Sequence, residues 1–244
     1  MQRPEVILEN ADEVYAYYLA HQQNRLQSKA SYAYLARKYA PRVTYAPGAK
    51  EQLRDLIASN TRLIISIDHL SQDDPYTVAA TAWRSPLRPT IGRTRVLAKD
   101  ELFLEEKQRK KVDMMGGIPV FRGKNHGIRA VNAAGQTMMD LCAERMRRGD
   151  NLAIFPEGTC NLEDPTRVQA VGSGIGHVTS RSMKLGVRPA LIFLGLSYGP
   201  GETTTGASMF FDSPVVDIPD RPGEITRLVR ARMQDALDRA VENY

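Results

Sequence analysis

Short apolar runs alternate with stretches of helical period along this chain, and several of the runs end in polar, chemistry-bearing residues. That alternation narrows the fold more than any other feature. Leu63-Ile-Ile-Ser-Ile67, Asn151 to Phe155 and Ala190 to Leu196 read as strands, joined by Val43 to Tyr45, Arg95 to Ala98, Ile118 to Phe121 and Ser208 to Phe211. Helical patterns fall between them, over Ala49 to Ser59, Pro75 to Arg84, Ile128 to Arg148, Ile175 to Leu185 and Glu224 to Glu242. Strands alternating with helices imply an α/β layer structure, a mixed central sheet flanked by helices. We assign residues 43–244 to this domain and 1–42 to an N-terminal helical segment. Residues 11 to 39 give one or two helices, with a break expected near Ser28 to Ser31. Their narrow, tyrosine-rich stripe (Val14, Tyr18, Leu26, Tyr32, Leu35, Tyr39) suits packing on the domain, a dimer contact or a bilayer interface.

The run ending at Ile67 leads into Asp68-His-Leu-Ser-Gln-Asp-Asp-Pro75, which sets His69 and Asp74 five positions apart. Histidine is the usual general base near neutral pH, and a carboxylate on its second ring nitrogen fixes the tautomer and stabilises the imidazolium. Asp74 also reads as the N-cap of a helix with Pro75 at its first position, a role compatible with the first. Phe155-Pro-Glu-Gly-Thr159 brings a second carboxylate and a glycine to a strand's carboxyl end, where ligands collect in open α/β sheets. Gly116-Gly-Ile-Pro-Val-Phe-Arg-Gly123 places Arg122 after a short extended segment, suited to holding a phosphate through paired hydrogen bonds.

In this order and spacing the blocks resemble the glycerolipid acyltransferase superfamily, which includes lysophosphatidic acid acyltransferases and tafazzin-like transacylases. The resemblance runs from about Leu63 to the C-terminus. His69 and Asp74 match its His-x4-Asp motif, and Gly117 to Arg122 its second, glycine-to-arginine stretch. Residues 155 to 159 match its Phe-Pro-Glu-Gly-Thr letter for letter, and Val187-Arg-Pro-Ala-Leu-Ile-Phe193 its proline-led strand. Leu97-Ala-Lys-Asp-Glu-Leu-Phe103 is similar to the family's lysine-containing strand exit.

The resemblance implies acyl transfer from a thioester, acyl-CoA or acyl carrier protein, to a hydroxyl of a lyso-phospholipid or related lipid, with no acyl-enzyme intermediate and no cofactor. His69 would be the base and Asp74 its support. Backbone N–H groups around Gly158 would face the oxyanion, and Glu157, Gly158, Thr159, Gly117 and Arg122 would contact substrate, with Lys124 a weaker cation. Departures from the pattern bear on the acceptor. Asp68 stands where relatives carry Asn, Cys160 where many carry Arg, and Val171-Gly-Ser-Gly-Ile-Gly176 where many show Phe-Lys before the glycines. Two cations that help hold a glycerol phosphate are therefore absent from their expected places, which counts against lysophosphatidic acid as acceptor.

Two other classes remain open on the residues: a hydrolase with Cys160 or Ser71 as nucleophile beside His69 and Asp74, and a non-catalytic lipid- or carrier-binding module. Composition excludes more than it selects. No apolar run approaches the ~20 residues that cross a bilayer, and the N-terminus lacks a signal-peptide plan, so a cytoplasmic location is expected. Cys142 and Cys160 make neither a metal spacing nor a disulfide framework. A net charge of +5 favours anionic partners. Basic residues are dispersed, which argues against nucleic acid. Lys107-Gln-Arg-Lys-Lys111, followed by Met114 and Met115, reads either as a solvated helix end leading into a loop or as a peripheral contact with anionic lipid. His126 and His177 are given no role.

Overall fold

A computed structural model describes residues 3–123, 127–200 and 203–244. Lys124 and His126 lie outside the described residues. The helices and strands run in the order α1 (Ala11–Ala20), α2 (Arg25–Tyr39), β1 (Arg42–Tyr45), α3 (Ala49–Ala58), β2 (Arg62–Ile67), α4 (Asp74–Arg84), β3 (Thr94–Lys99), α5 (Glu106–Met114) and β4 (Gly117–Val120). There follow α6 (Ile128–Arg147), β5 (Asn151–Ile154), α7 (Gly174–Lys184), β6 (Pro189–Ser197), β7 (Ser208–Phe211) and α8 (Pro222–Glu242). One seven-stranded sheet has the order β1-β7-β6-β2-β5-β3-β4. Every neighbouring pair is parallel except β6 with β7, so the sheet is mixed as expected.

The central strands are buried on both faces, and their side chains alternate between two cores. Ile64, Leu152, Ile154, Leu191 and Phe193 pack with side chains of α1, α6, α7 and α8. Leu63, Ile65, Ile67, Ala153, Ile192 and Leu194 pack on the other face with Leu53 of α3 and with Val78 and Ala82 of α4. Helix α2 lies outside α4 as a further layer, through Tyr32, Ala36 and Tyr39 against Ala79 and Ala80.

Three expectations need correction. The break between the first helices falls at 21–24, not near Ser28 to Ser31: Asn24 caps α2 by accepting from the Gln27 N–H, while the Ser28 hydroxyl donates to Asn24 O and Met114 O inside the helix. Asp74 is not the N-cap of α4 but its first residue, after Asp73. The Lys107–Lys111 cluster belongs to a helix rather than to a helix end and loop. Arg109 is buried with Nη1 donating to Pro4 O at 2.7 Å, and Met115 is buried against Tyr32 and Ile91, so neither is free to meet lipid.

Candidate active site at the carboxyl edge of the sheet

Strands β2, β5, β3 and β4 are parallel, so the segments that leave them emerge at one edge. Asp68 and His69 follow β2, Phe155 to Cys160 follow β5, Lys99 ends β3, and Arg122 follows β4. The period of two carries past Ile67. Asp68 turns into the sheet, where its Oδ1 accepts the Leu196 N–H at 2.8 Å, and it is 1% exposed. Burial raises its carboxyl well above the ordinary aspartate range.

His69 is held on every side. Its N–H donates to Glu157 Oε1 at 2.9 Å, its carbonyl accepts from Asn161 N at 2.6 Å, and its ring stacks on Phe155 with centroids 4.4 Å apart. Asp74 Oδ2 meets the ring Nδ1 at 2.8 Å and also accepts the N–H groups of Leu70 at 2.6 Å and Ser71 at 2.8 Å. Its Oδ1 accepts the Tyr198 hydroxyl at 2.7 Å. Asp74 is fully buried and its other partners are all donors, so the contact with the ring assigns the imidazole proton to Nδ1 and leaves the Nε2 lone pair for a substrate proton.

Cys160 Sγ lies 3.5 Å from Nε2 and 3.9 Å from Nδ1. These near-equal distances set the sulfur beside both nitrogens rather than on the line of the Nε2 lone pair. Burial pushes its thiol up, and so do Asp74 and Glu157, while Lys99 pulls it down. Glu157 is half-buried, and burial raises its carboxyl despite amide bonds to both oxygens, from His69 N and from Gln169 N at 2.8 Å.

The remaining residues expected at the site are distributed unevenly. Gly158 and Thr159 are exposed beside Glu157. Gly158 has φ of 73°, where a side chain is strained, and its N–H closes a turn onto Phe155 O at 3.0 Å, so this amide is not aimed at an oxyanion. Arg122 comes off β4, three strands from β2 and so about 14 Å away along the sheet. Its Nη2 donates to Glu101 at 2.7 Å. Gly117 is buried; a Cβ there would fall 2.2 Å from Val112 Cγ1, so packing against α5 accounts for the glycine. Ser71 serves the loop, its hydroxyl accepting from Asp73 N.

Tyr198 is the functional residue that the sequence does not announce. Its signal is positional only: it stands at the end of β6, the strand paired with β2. Among the described residues no three His, Cys, Asp or Glu side chains stand close enough to hold a metal ion. Residues 48–193, well over half of the chain, match a family model described as Acyltransferase. No curated protein matches the chain.

Proposed function

Because the chain belongs to the acyltransferase family, we propose that it moves a fatty acyl group from a thioester, acyl-CoA or acyl carrier protein, to a hydroxyl of a lyso-phospholipid or related lipid. The observation that carries the reading is the buried His69–Asp74 pair with Nε2 unspent at the carboxyl edge of the sheet. The acceptor hydroxyl gives its proton to Nε2 as its oxygen attacks the thioester carbonyl. Asp74 holds the tautomer and stabilises the imidazolium. The tetrahedral adduct expels the thiolate, which takes the proton back from Nε2, and ester and free thiol leave.

A narrow apolar cavity of about 40 Å³ lies between α4 and the sheet, lined by Ile65, Ile67, Val78, Ala82, Val96 and Phe155. Phe155 also stacks on His69, so this cavity offers a dry path for the acyl chain next to the reacting carbonyl. An acyl chain of any length must widen it, since it has room for only a few waters. Glu157, Gly158 and Thr159 would face the acceptor, and Arg122 an anionic part of a substrate further along the edge.

The reading includes peripheral contact with an anionic membrane at its cytoplasmic face. None of the described helices is long and apolar enough to cross a membrane. Helix α2 supports contact from one side: it carries Arg25, Lys29, Arg37 and Lys38 with no acidic residue, and it exposes Leu26 and Tyr34.

Thioester hydrolysis with Cys160 as nucleophile is a second reading, favoured by the 3.5 Å approach of Sγ to Nε2. The off-line position of the sulfur and the upward push on its thiol weigh for direct use of Nε2 by an acceptor. The test incubates the chain and its His69→Ala variant with acyl-CoA and a panel of lipid alcohols, reading products by mass spectrometry. Acylated product should form with the wild type and fall by several orders of magnitude in the variant. Thioester loss without an acylated acceptor, abolished by Cys160→Ala, would select hydrolysis instead.

A further inference from the structure

We infer that the acyl chain of the donor does not end inside the domain but passes Met115 and lays its tail in a surface groove between α2 and α5, which makes Met115 the gate for long chains. The inference deepens the acyl-transfer reading and rests on it.

A chain whose carbonyl sits at Nε2 enters the apolar cavity past Phe155, the ring that stacks on the base. Thr94, also in the lining of that cavity, is level with Asn151 in the sheet, four residues before Phe155. At about 3.3 Å per residue the cavity therefore runs about 13 Å down the strands. Met115 stands near its far end, because the Val96 N–H donates to the next residue, at Gly116 O, at 3.0 Å. The hydrocarbon core of a bilayer is about 30 Å thick, so one membrane-lipid chain, not fully extended there, reaches about 15 Å. Such a chain overruns the cavity and meets Met115.

Met115 lines this cavity and also a groove of about 320 Å³ at the surface, whose other walls include Ser31, Tyr34 and Leu35 of α2, Tyr76 of α4 and Met114 of α5. Its side chain is thus a partition common to both spaces. The remaining walls of the cavity resist widening: Ile65, Ile67 and Val96 are β-branched, stiff at χ1 and fixed in the sheet. Methionine is unbranched and repacks at small cost. The backbone of Met115 is held meanwhile, its N–H donating to Lys111 O at 3.1 Å where α5 ends. An advancing tail therefore turns the Met115 side chain aside before it moves any strand. Beyond it, Tyr34, Leu35 and Met114 offer apolar surface that a hydrocarbon tail would remove from water.

The experiment measures kcat/KM for octanoyl, decanoyl, palmitoyl and stearoyl donors, each as the CoA and the acyl carrier protein thioester, with the panel of lipid alcohols as acceptors. The wild-type chain should use palmitoyl and stearoyl donors at least as well as decanoyl. Ser31→Trp fills the groove from the partly exposed side of α2 without touching the cavity. It should lower kcat/KM for palmitoyl at least tenfold and leave decanoyl within about twofold. Met115→Ala joins cavity to groove and should raise the palmitoyl-to-decanoyl ratio. A wild-type chain that takes decanoyl and rejects palmitoyl overturns the inference with no variant needed. A Ser31→Trp protein with an unchanged thermal midpoint and an unmoved ratio overturns the groove, and an unmoved ratio in Met115→Ala overturns the gate. No His69-dependent acylation from any donor overturns the acyl-transfer reading and the inference with it.

Discussion

Tyr198 fixes the carboxylate that fixes the base, and it does so from 124 positions along the chain. Its hydroxyl is the donor on Asp74 Oδ1, while Oδ2 is shared by His69 and two backbone amides. Tyr198→Phe leaves a buried carboxylate oxygen unpaired, which costs about 1–3 kcal/mol. Both kcat and the thermal midpoint should fall, kcat by roughly tenfold as the imidazole loses its fixed orientation. Unchanged kcat with a lowered midpoint would make Tyr198 a packing residue only. Asp68 gives a prediction of opposite sign. Burial raises its carboxyl above the ordinary aspartate value of about 4, so the folded chain binds this proton more tightly than the unfolded one. Stability then falls as pH rises from about 4 to the folded-state value and stays lowered above it. Asp68→Asn keeps an oxygen for the Leu196 amide and removes the ionisation. Urea unfolding should show a gain at pH 7 of about 1.4 kcal/mol per pKa unit of the raise, and none at pH 3. The raised Glu157 adds its own fall over the same range, and the variant leaves that slope in place. An equal effect at both pH values would remove the titration account. The base pair itself was legible in the sequence because five residues close a local loop around a helix start. Tyr198, and the bond from His69 N to Glu157 88 positions away, depend on which strands become neighbours, and no local pattern carries that.

At the scale of elements, the strands follow the apolar runs to within a residue or two, while the exceptions have local causes. The serines suggest a helix break, yet Asn24 has the stronger capping side chain, and Ser28 satisfies its hydroxyl on carbonyls within and beyond the helix. In α5, four cations in five residues read as a solvated helix end or a lipid contact, and only the fold shows Arg109 turned inward against Pro4 and Asp113. Helix α2 leaves the reverse feature. Leu26, Ala30 and Tyr34 repeat every four residues on its outer side, with Leu26 82% and Tyr34 67% exposed, among four cations. Beside them lies an apolar groove lined by Leu35, Tyr76 and Met114, with Lys111 at its edge. Sedimentation with phosphatidylglycerol-containing vesicles should weaken at least tenfold in a Leu26→Ser, Tyr34→Ser double variant, and its thermal midpoint should hold because neither side chain is buried. Undiminished sedimentation would take α2 out of the membrane contact.

For the molecule as a whole, the sequence separates a helical segment, 1–42, from the domain that follows, because Pro41 ends the helical stretch. The packing argues that the two are energetically one. Val14, Tyr15 and Tyr18 of α1 are buried in the same core as Met139 and Cys142 of α6, and α2 covers Ala79 and Ala80 of α4. Polar groups bind the segment more tightly still. Arg95 and Arg145, 1% and 2% exposed, both donate to Asp150 Oδ2, at 2.7 and 2.6 Å. Arg95 Nη2 reaches back to His21 O at 2.8 Å and Arg145 Nη1 to Leu19 O at 2.9 Å. Without the segment, two guanidiniums lose acceptors at a cost of about 1–3 kcal/mol each, and several buried aromatic and aliphatic side chains of the domain face water. That loss is comparable to the whole stability of an ordinary domain, about 5–15 kcal/mol. Residues 43–244 expressed alone should therefore give no cooperative thermal transition, whereas the full chain gives a single one. Supplying residues 1–42 as a separate peptide should restore the transition in proportion to its concentration, since the missing acceptors then return by binding. A sharp melt of 43–244 by itself, near the midpoint of the full chain, would make the segment an appendage. The buried arginines would then have to find water where they now find Leu19 and His21.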